Sequence, residues 1–357
     1  MKKRILIGVI ALLLVAGLVL PMSGALQASP DAATLTVNYY TENGNAVYIG
    51  TVKVTGTGGD SYSQQRNTVT GSWTFTGLES GKSYNIKSTK GLSRTDVTPA
   101  LNAGSNTFDV PCSDLVVNLK TESSHNLSKS GTAFVQFGGN NVDSYSFYGS
   151  HTFYLLDGTY DVKSTMDVFS TSRTDTGIVV GPATTTFDVP CSDLVVNLYA
   201  NGNLAWPINN AQVKVKDVGG PNGATQSGVN GTCTFYLLDA TYDVKSVNGS
   251  TNRKEGSIPV GPGTTTLNVP VARFKVTVVK GDFTPQSNCT IQVVGVVPSV
   301  GGVNTADFSL LASSPLGVGN TGAGQYTFKA TKNLTIAQTT AMADPPPGLA
   351  GVVLMIP

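Results

Sequence analysis

An internal repeat constrains the fold of this 357-residue chain more than any other feature of its sequence. The eleven residues that begin at Asp109 recur without change from Asp188. A thirteen-residue block that begins at Thr152 recurs from Thr234, with one Gly replaced by Ala. Diverged copies precede and follow both blocks. A period of about 80 residues indicates tandem units of one structural type.

Each unit has the sequence pattern of β-strands. The apolar side chains of Leu115, Val117 and Leu119 alternate with other residues, so they share one face of a strand. The chain has 40 glycines and many Thr, Ser and Asn residues, which favour short strands joined by tight turns. Each unit therefore has room for about six or seven strands, as in a β-sandwich. We expect Gly158 to form a tight turn. Ala240 replaces it in the third unit, where the turn should cost more free energy to form.

We predict an all-β protein of four tandem sandwiches, preceded by an N-terminal signal helix. The linker at residues 110–113 is very short, so consecutive sandwiches should stack end to end as a stiff rod. The apolar segment 349–356 is either a last strand or the start of an anchor. The predicted segments are a signal peptide at 1–28 and sandwiches at 34–112, 113–191, 192–272 and 273–357, the last diverged or incomplete.

The N-terminus predicts export. Residues 1–4 are basic, residues 5–20 are an unbroken apolar run, and small residues at Ala25 and Ala28 suit cleavage. An uncleaved anchor is the alternative, but the run is shorter than the roughly 20 residues that a membrane helix needs. We therefore expect a secreted or cell-surface protein whose mature chain has no membrane span.

Composition argues against several function classes. Charged residues are 13% of the chain and the net charge is +1, so no basic surface for nucleic acid is expected. The two histidines, His125 and His151, belong to no recognisable catalytic motif. We predict that the protein is not an enzyme and uses no cofactor or metal.

Charged residues recur at matched positions of the first three units. Each Arg precedes an acid by two residues, so both side chains share a strand face. One interpretation is ion pairing on the solvent face, and the other is a charged ladder that binds a ligand. The pairs are Arg94 with Asp96, Arg173 with Asp175, and Arg253 with Glu255.

Two further groups are candidates for sites. One is an aromatic platform for a sugar, formed by Tyr145, Phe147 and Tyr148. Tyr145 and Phe147 are two residues apart and so share one strand face, and burial of that face in the core is the alternative. Four cysteines in an exported chain permit disulfides. We expect Cys191 to pair with Cys233, and free buried thiols are the alternative.

The central block resembles the carboxypeptidase-regulatory-like and collagen-adhesin B-type repeats of exported surface proteins. Its spacing is Phe-x-x-Leu-x-Gly-x-Tyr-x-Val. Those repeats are prealbumin-like, immunoglobulin-related sandwiches, so the resemblance implies a stalk, spacer or adhesive module. An internal Lys–Asn bond known in such repeats is not carried over, because Tyr199 stands where the preceding unit has Lys120. The matching residues are Phe153, Leu156, Gly158, Tyr160 and Val162.

The sequence therefore predicts a non-enzymatic structural stalk or adhesive repeat array. Its partner would be an unknown surface ligand, either protein or glycan, and self-association of the chain is also compatible with a repeat array. A carbohydrate-binding accessory protein is the alternative function, and an extracellular hydrolase is a third.

Overall fold

The computed structural model describes residues 31–200, 205–296, 299–312, 325–342 and 349–356. These ranges contain 28 strands and no helix. The predicted signal peptide at 1–28 lies outside the described residues. Of the described residues, those up to Pro111 form one compact unit, and those from Cys112 form a second.

The first compact unit holds one sandwich and the second holds three, each with seven strands. The strands of the first sandwich are β1 (Ala32–Asn38), β2 (Tyr48–Gly56), β3 (Ser63–Thr70), β4 (Ser72–Glu79), β5 (Tyr84–Lys90), β6 (Leu92–Val97) and β7 (Gly104–Asp109). Those of the second are β8 (Cys112–Leu119), β9 (Gly131–Phe137), β10 (Asn140–Phe147), β11 (Gly149–Leu156), β12 (Gly158–Met166), β13 (Ser172–Val180) and β14 (Thr185–Asp188).

The third and fourth sandwiches repeat this order. The strands of the third are β15 (Cys191–Asn197), β16 (Ala211–Asp217), β17 (Gly223–Val229), β18 (Thr232–Leu238), β19 (Ala240–Asn248), β20 (Thr251–Val260) and β21 (Thr264–Asn268). Those of the fourth are β22 (Val271–Val279), β23 (Cys289–Val293), β24 (Val300–Val303), β25 (Thr305–Leu311), β26 (Gln325–Lys332), β27 (Thr335–Met342) and β28 (Leu349–Met355).

All four sandwiches have the same sheet topology. In the first, a three-stranded sheet has the order β4-β1-β7 and a four-stranded sheet has the order β3-β2-β5-β6. The corresponding orders recur in the other three. The first strand of each sandwich pairs antiparallel with the fourth and parallel with the seventh. The prediction of four tandem β-sandwiches is thus confirmed.

The joins between sandwiches are shorter than the predicted linker. Cys112 and Ser113, placed in the linker by the sequence, belong to strand β8. Cys191 and Val271 likewise begin the third and fourth sandwiches. The segment at 349–356 contains strand β28, which pairs with β22. The limits of independently folding domains stay a prediction.

The core of each sandwich is built from the alternating residues of its strands. Leu115 and Val117 of β8 are fully buried, as are Leu194 and Val196 of β15. Each sandwich also buries at least one tyrosine. The hydroxyl of Tyr160 donates to the Leu156 carbonyl at 2.8 Å, so the buried phenol keeps a hydrogen-bond partner.

The turn between the fourth and fifth strands differs from the expectation. Gly158 does not adopt a positive φ, so the expectation that Ala240 makes this turn costlier is wrong. The neighbouring carboxylate instead holds the turn. Asp157 accepts a hydrogen bond from Ser113 Oγ at 2.7 Å, and Asp239 accepts one from Ser192 Oγ at 2.6 Å.

Gly181, in the connection between β13 and β14, lies against the Asp157 carboxylate of this turn. Its φ is +93°, and a Cβ there would lie 2.2 Å from the Asp157 carboxyl carbon. We expect Gly181→Ala to lower the free energy of unfolding by about 2–5 kcal/mol, from left-handed strain plus overpacking. Gly177→Ala is the matched control, because its φ is +76° but no atom lies within 4 Å of the added Cβ. Urea unfolding of the chain measures both, and equal losses would contradict the steric argument.

Candidate functional site

The candidate site is the pair of interfaces that join the second, third and fourth sandwiches. At the first interface, the segment between β8 and β9 contacts strand β18 of the third sandwich. The Ser128 amide donates to the Tyr236 carbonyl at 2.9 Å, and the Tyr236 amide donates to Ser128 Oγ at 2.7 Å. These reciprocal bonds fix the segment to the outer edge of the next sandwich.

A serine, a histidine and an aspartate lie beside this contact. Ser123 Oγ donates to Asp193 Oδ2 at 2.7 Å and lies 2.8 Å from His125 Nδ1. Because the serine has one proton, the histidine nitrogen acts as the donor in the second bond. The His125 ring stacks on Tyr236, with centroids 4.5 Å apart. A catalytic triad needs the imidazole between hydroxyl and carboxylate, whereas here the hydroxyl lies between them. The cluster therefore bridges two sandwiches.

The second contact of this interface involves a buried carboxylate. Asp217, at the end of β16, is 9% exposed. It accepts hydrogen bonds from the Ser170 amide and from both the amide and the hydroxyl of Thr171, in the loop between β12 and β13. Phe169 of the same loop packs edge-on against Tyr242, with centroids 5.6 Å apart. The loop is thus held by one carboxylate and one aromatic contact.

The interface between the third and fourth sandwiches uses the equivalent elements. Ser309 Oγ, on the fourth strand of the last sandwich, donates to the Trp206 carbonyl at 3.1 Å. The Arg273 guanidinium lies 3.6 Å from the centre of the Trp206 ring, a cation–π contact. The Ser250 amide, between the fifth and sixth strands, donates to the Gly295 carbonyl at 2.7 Å. The positions are the same as before, but the side chains differ.

The three predicted Arg–acid pairs form ion pairs, and two of the arginines also face the next sandwich. The Nε–carboxylate distance is 2.9 Å for Arg94 and 2.8 Å for Arg173. The hydrogen bond with Asp175 raises the pKa of Arg173 most, and Asp239 of the third sandwich raises it further.

Arg253 departs from the predicted solvent-face pairing. Its side chain is 3% exposed, against 35% for Arg173. It contacts Glu255, and its Nη1 donates to the Ala312 carbonyl of the fourth sandwich at 2.9 Å. The solvent-face interpretation is therefore wrong for Arg253, because the following sandwich covers it.

Of the three residues of the predicted aromatic platform, one is buried and two are exposed. Phe147 is 8% exposed and belongs to the core, so its place in a platform is wrong. Tyr145 and Tyr148 are 54% and 62% exposed. Tyr145 stacks on His151 of β11, with centroids 4.0 Å apart and planes 7° apart. Burial lowers the pKa of His151.

The expected disulfide between Cys191 and Cys233 is absent, and all four cysteines are free and buried. Cys191 lies opposite Leu238 and Cys233 lies opposite Val196 in one antiparallel pair. Five positions along a strand are about 17 Å, whereas a disulfide needs Cα atoms within about 7 Å. Burial raises the pKa of each of these two thiols to about 12.

Two other kinds of feature are absent from the residues that the structure describes. Across the described ranges, no three His, Cys, Asp or Glu side chains are grouped so as to hold a metal ion. The part of the chain that the structure describes also has no helix long and apolar enough to cross a membrane.

Comparisons with known proteins give only remote likenesses. No protein-family model matches the chain. No curated protein matches its sequence. The Bacillus anthracis TIE protein is 12% identical over 92% of this chain and 69% of that one, with a TM-score of 0.21. The pilus adhesin SpaC from Lactobacillus rhamnosus GG, in its open conformation, is 10% identical over 92% of this chain and 56% of that one, with a TM-score of 0.24.

A third solved structure is BcpA, the major pilin subunit of Bacillus cereus. It is 11% identical over 67% of this chain and 99% of that one, with a TM-score of 0.18. Likenesses at such TM-scores carry no argument about the role of this chain.

Sequence reasoning missed the interface residues. Ser128, Asp217 and Trp206 lie in or beside connections that differ between repeats, so the repeat pattern gives no prediction for them. One signal was available: β5 and β6 are joined through Gly91 alone, whereas residues 167–171 join β12 to β13. A longer connection at a matched position indicates a local role outside the core.

The thiols provide a direct test of the cysteine assignment. We expect a thiol reagent such as DTNB to leave the folded chain nearly unlabelled at pH 8, because the thiols are buried and those of Cys191 and Cys233 have pKa values near 12. In denaturant without reductant, four thiols should react. If only two thiols reacted, the chain would contain a disulfide, and the assignment of four free cysteines would be wrong.

The Asp217 contact should fix the second sandwich against the third. We expect Asp217→Ala to weaken the interface by about 1–3 kcal/mol, because two loop amides lose their acceptor. Spin labels on exposed sites of the two sandwiches should give a narrow distance distribution in the wild type and a broad one in the variant. Asp167→Ala is the control, since its carboxylate accepts a hydrogen bond from Ser130 of the same sandwich. Equal distributions in all three proteins would contradict this role.

Proposed function

We propose that this chain is an exported, non-enzymatic surface protein that acts as a structural or adhesive repeat array. The observation that carries the proposal is the recurrence of interface contacts between consecutive sandwiches in residues 112–356. Two interfaces use the same loops and the same strands, although their side chains differ. Contacts of this kind favour a fixed orientation of one sandwich on the next.

The chemistry of the contacts supports a mechanical role over a catalytic one. The serine, histidine and aspartate of the first interface bind each other and the next sandwich. Asp217 and Arg253 are buried, and both form hydrogen bonds with backbone groups of the neighbouring sandwich. Polar groups that already have partners in this way hold neighbouring elements in place.

Export is supported by the sequence of residues 1–28, with its basic start, apolar run and small residues. The partner of such an array would be a surface ligand, either protein or glycan, or another copy of the chain. A second candidate function is glycan binding, favoured by Tyr145 and Tyr148, two residues of the second sandwich that are more than half exposed.

Antibody labelling of intact cells of the source organism tests the proposal. We expect the mature chain at the cell surface or in the medium, where external protease removes it. A protein confined to the cytoplasm would contradict the proposal, as would robust turnover by the purified chain in hydrolase screens. For glycan binding, the purified chain is applied to a glycan array. Loss of signal in Tyr145→Ala but not in Tyr48→Ala, another exposed tyrosine, would support the second candidate.

A further inference from the structure

The first and last strands of every sandwich are parallel neighbours. The pairs are β1 with β7, β8 with β14, β15 with β21, and β22 with β28. The chain therefore enters each sandwich at one end of these two strands and leaves the sandwich at their opposite end. Tension along the chain pulls the two strands past each other, and the load falls on all the hydrogen bonds between them at once.

The ladders differ in length between sandwiches. The first has six paired residues, the second four, the third five and the fourth seven. At least one further backbone bond extends each ladder, such as that from the Val189 amide to the Asn118 carbonyl at 3.0 Å. Because shear must break these bonds together, a longer ladder should resist a larger force.

A side-chain hydrogen bond crosses the same strands near the end of three ladders. Asn118 Nδ2 donates to Asp188 Oδ1 at 2.7 Å in the second sandwich. The first and third sandwiches have the equivalent bond, at 2.8 and 2.9 Å. In the fourth sandwich Thr277 and Val353 occupy this position. The recurring bond lies across the strands that tension would separate.

We propose that each sandwich is a tension-bearing element whose resistance is set by the parallel ladder between its first and seventh strands. The inference rests on the proposed function, since an array that displays or links something at a surface transmits force along its chain. Forced unfolding is governed by the rate of crossing the unfolding barrier. Simultaneous rupture of the ladder makes that barrier higher than sequential rupture does.

Single-molecule force spectroscopy on the mature chain tests this by changing the direction of pulling on the first sandwich. Both handle geometries use the N-terminus and one introduced cysteine, which labels selectively because the native cysteines are buried. Glu122→Cys lies beyond β7, so the ladder is loaded in shear. Ala103→Cys lies just before β7, so the strands are peeled apart one bond at a time. Both residues are exposed.

We expect the first sandwich to survive at least about tenfold longer at the same force in shear than in peeling, since several hydrogen bonds rather than one must break together. Equal lifetimes in the two directions would overturn the proposal. With handles at both chain ends, the second sandwich should unfold first and the fourth last. Each event should release at most about 280 Å of chain, as a unit of about 80 residues does. An order unrelated to ladder length would also overturn it.

Two matched variants locate the load. Asp188 and Ser150 both bond to the side chain of Asn118, one across the ladder and one from strand β11. We expect Asp188→Ala to unfold the second sandwich about two- to tenfold faster at fixed force, and Ser150→Ala to leave that rate nearly unchanged. Equal effects would overturn the role of the ladder. These forces are measured on purified protein, so a failure here leaves the proposed surface function standing, and a cytoplasmic location would leave the forces unchanged.

Discussion

The parallel pairing of first and seventh strands is the constraint on which the rest of the structure depends. It places the start and the finish of each sandwich at opposite ends. The connection after the first strand and the connection after the fifth both lie at the finishing end. The next sandwich begins there and presents the ends of its second and fourth strands, including Asp217 and Tyr236. Strand order alone thus decides which segments meet at each interface.

The two interfaces share this geometry but not their chemistry. The first uses a serine hydroxyl and a buried carboxylate, and the second uses the Trp206 carbonyl, a cation–π contact and Gly295. Exchanging the third and fourth sandwiches would place unmatched side chains at both interfaces. The contacts are mostly polar, so they orient neighbouring sandwiches more than they stabilise them, while each buried core supplies most of the stability.

The sequence predicts the cores well and the interfaces poorly, for a physical reason. Alternation in Leu115 and Val117 assigns side chains to one face of a strand, and that face is buried. It does not say which neighbour covers an exposed position. Arg253 has the same pattern as Arg173, yet only Arg253 is covered by the next sandwich. Ser128 and Tyr236 are 108 residues apart, and no local pattern connects them. The alternation of side chains along a strand likewise could not decide whether Phe147 belongs to the core or to the surface.

The fourth sandwich shows what the repeat conserves. It matches the other units worst in sequence and lacks their side-chain bond across the terminal strands, yet its parallel ladder is the longest, with seven paired residues. Backbone hydrogen bonds need only extended strands in register, so side chains can change without breaking them. The pairing of terminal strands therefore tolerates sequence divergence, because it depends on the backbone. Conservation of topology, rather than of particular residues, keeps every unit able to transmit load between its two ends.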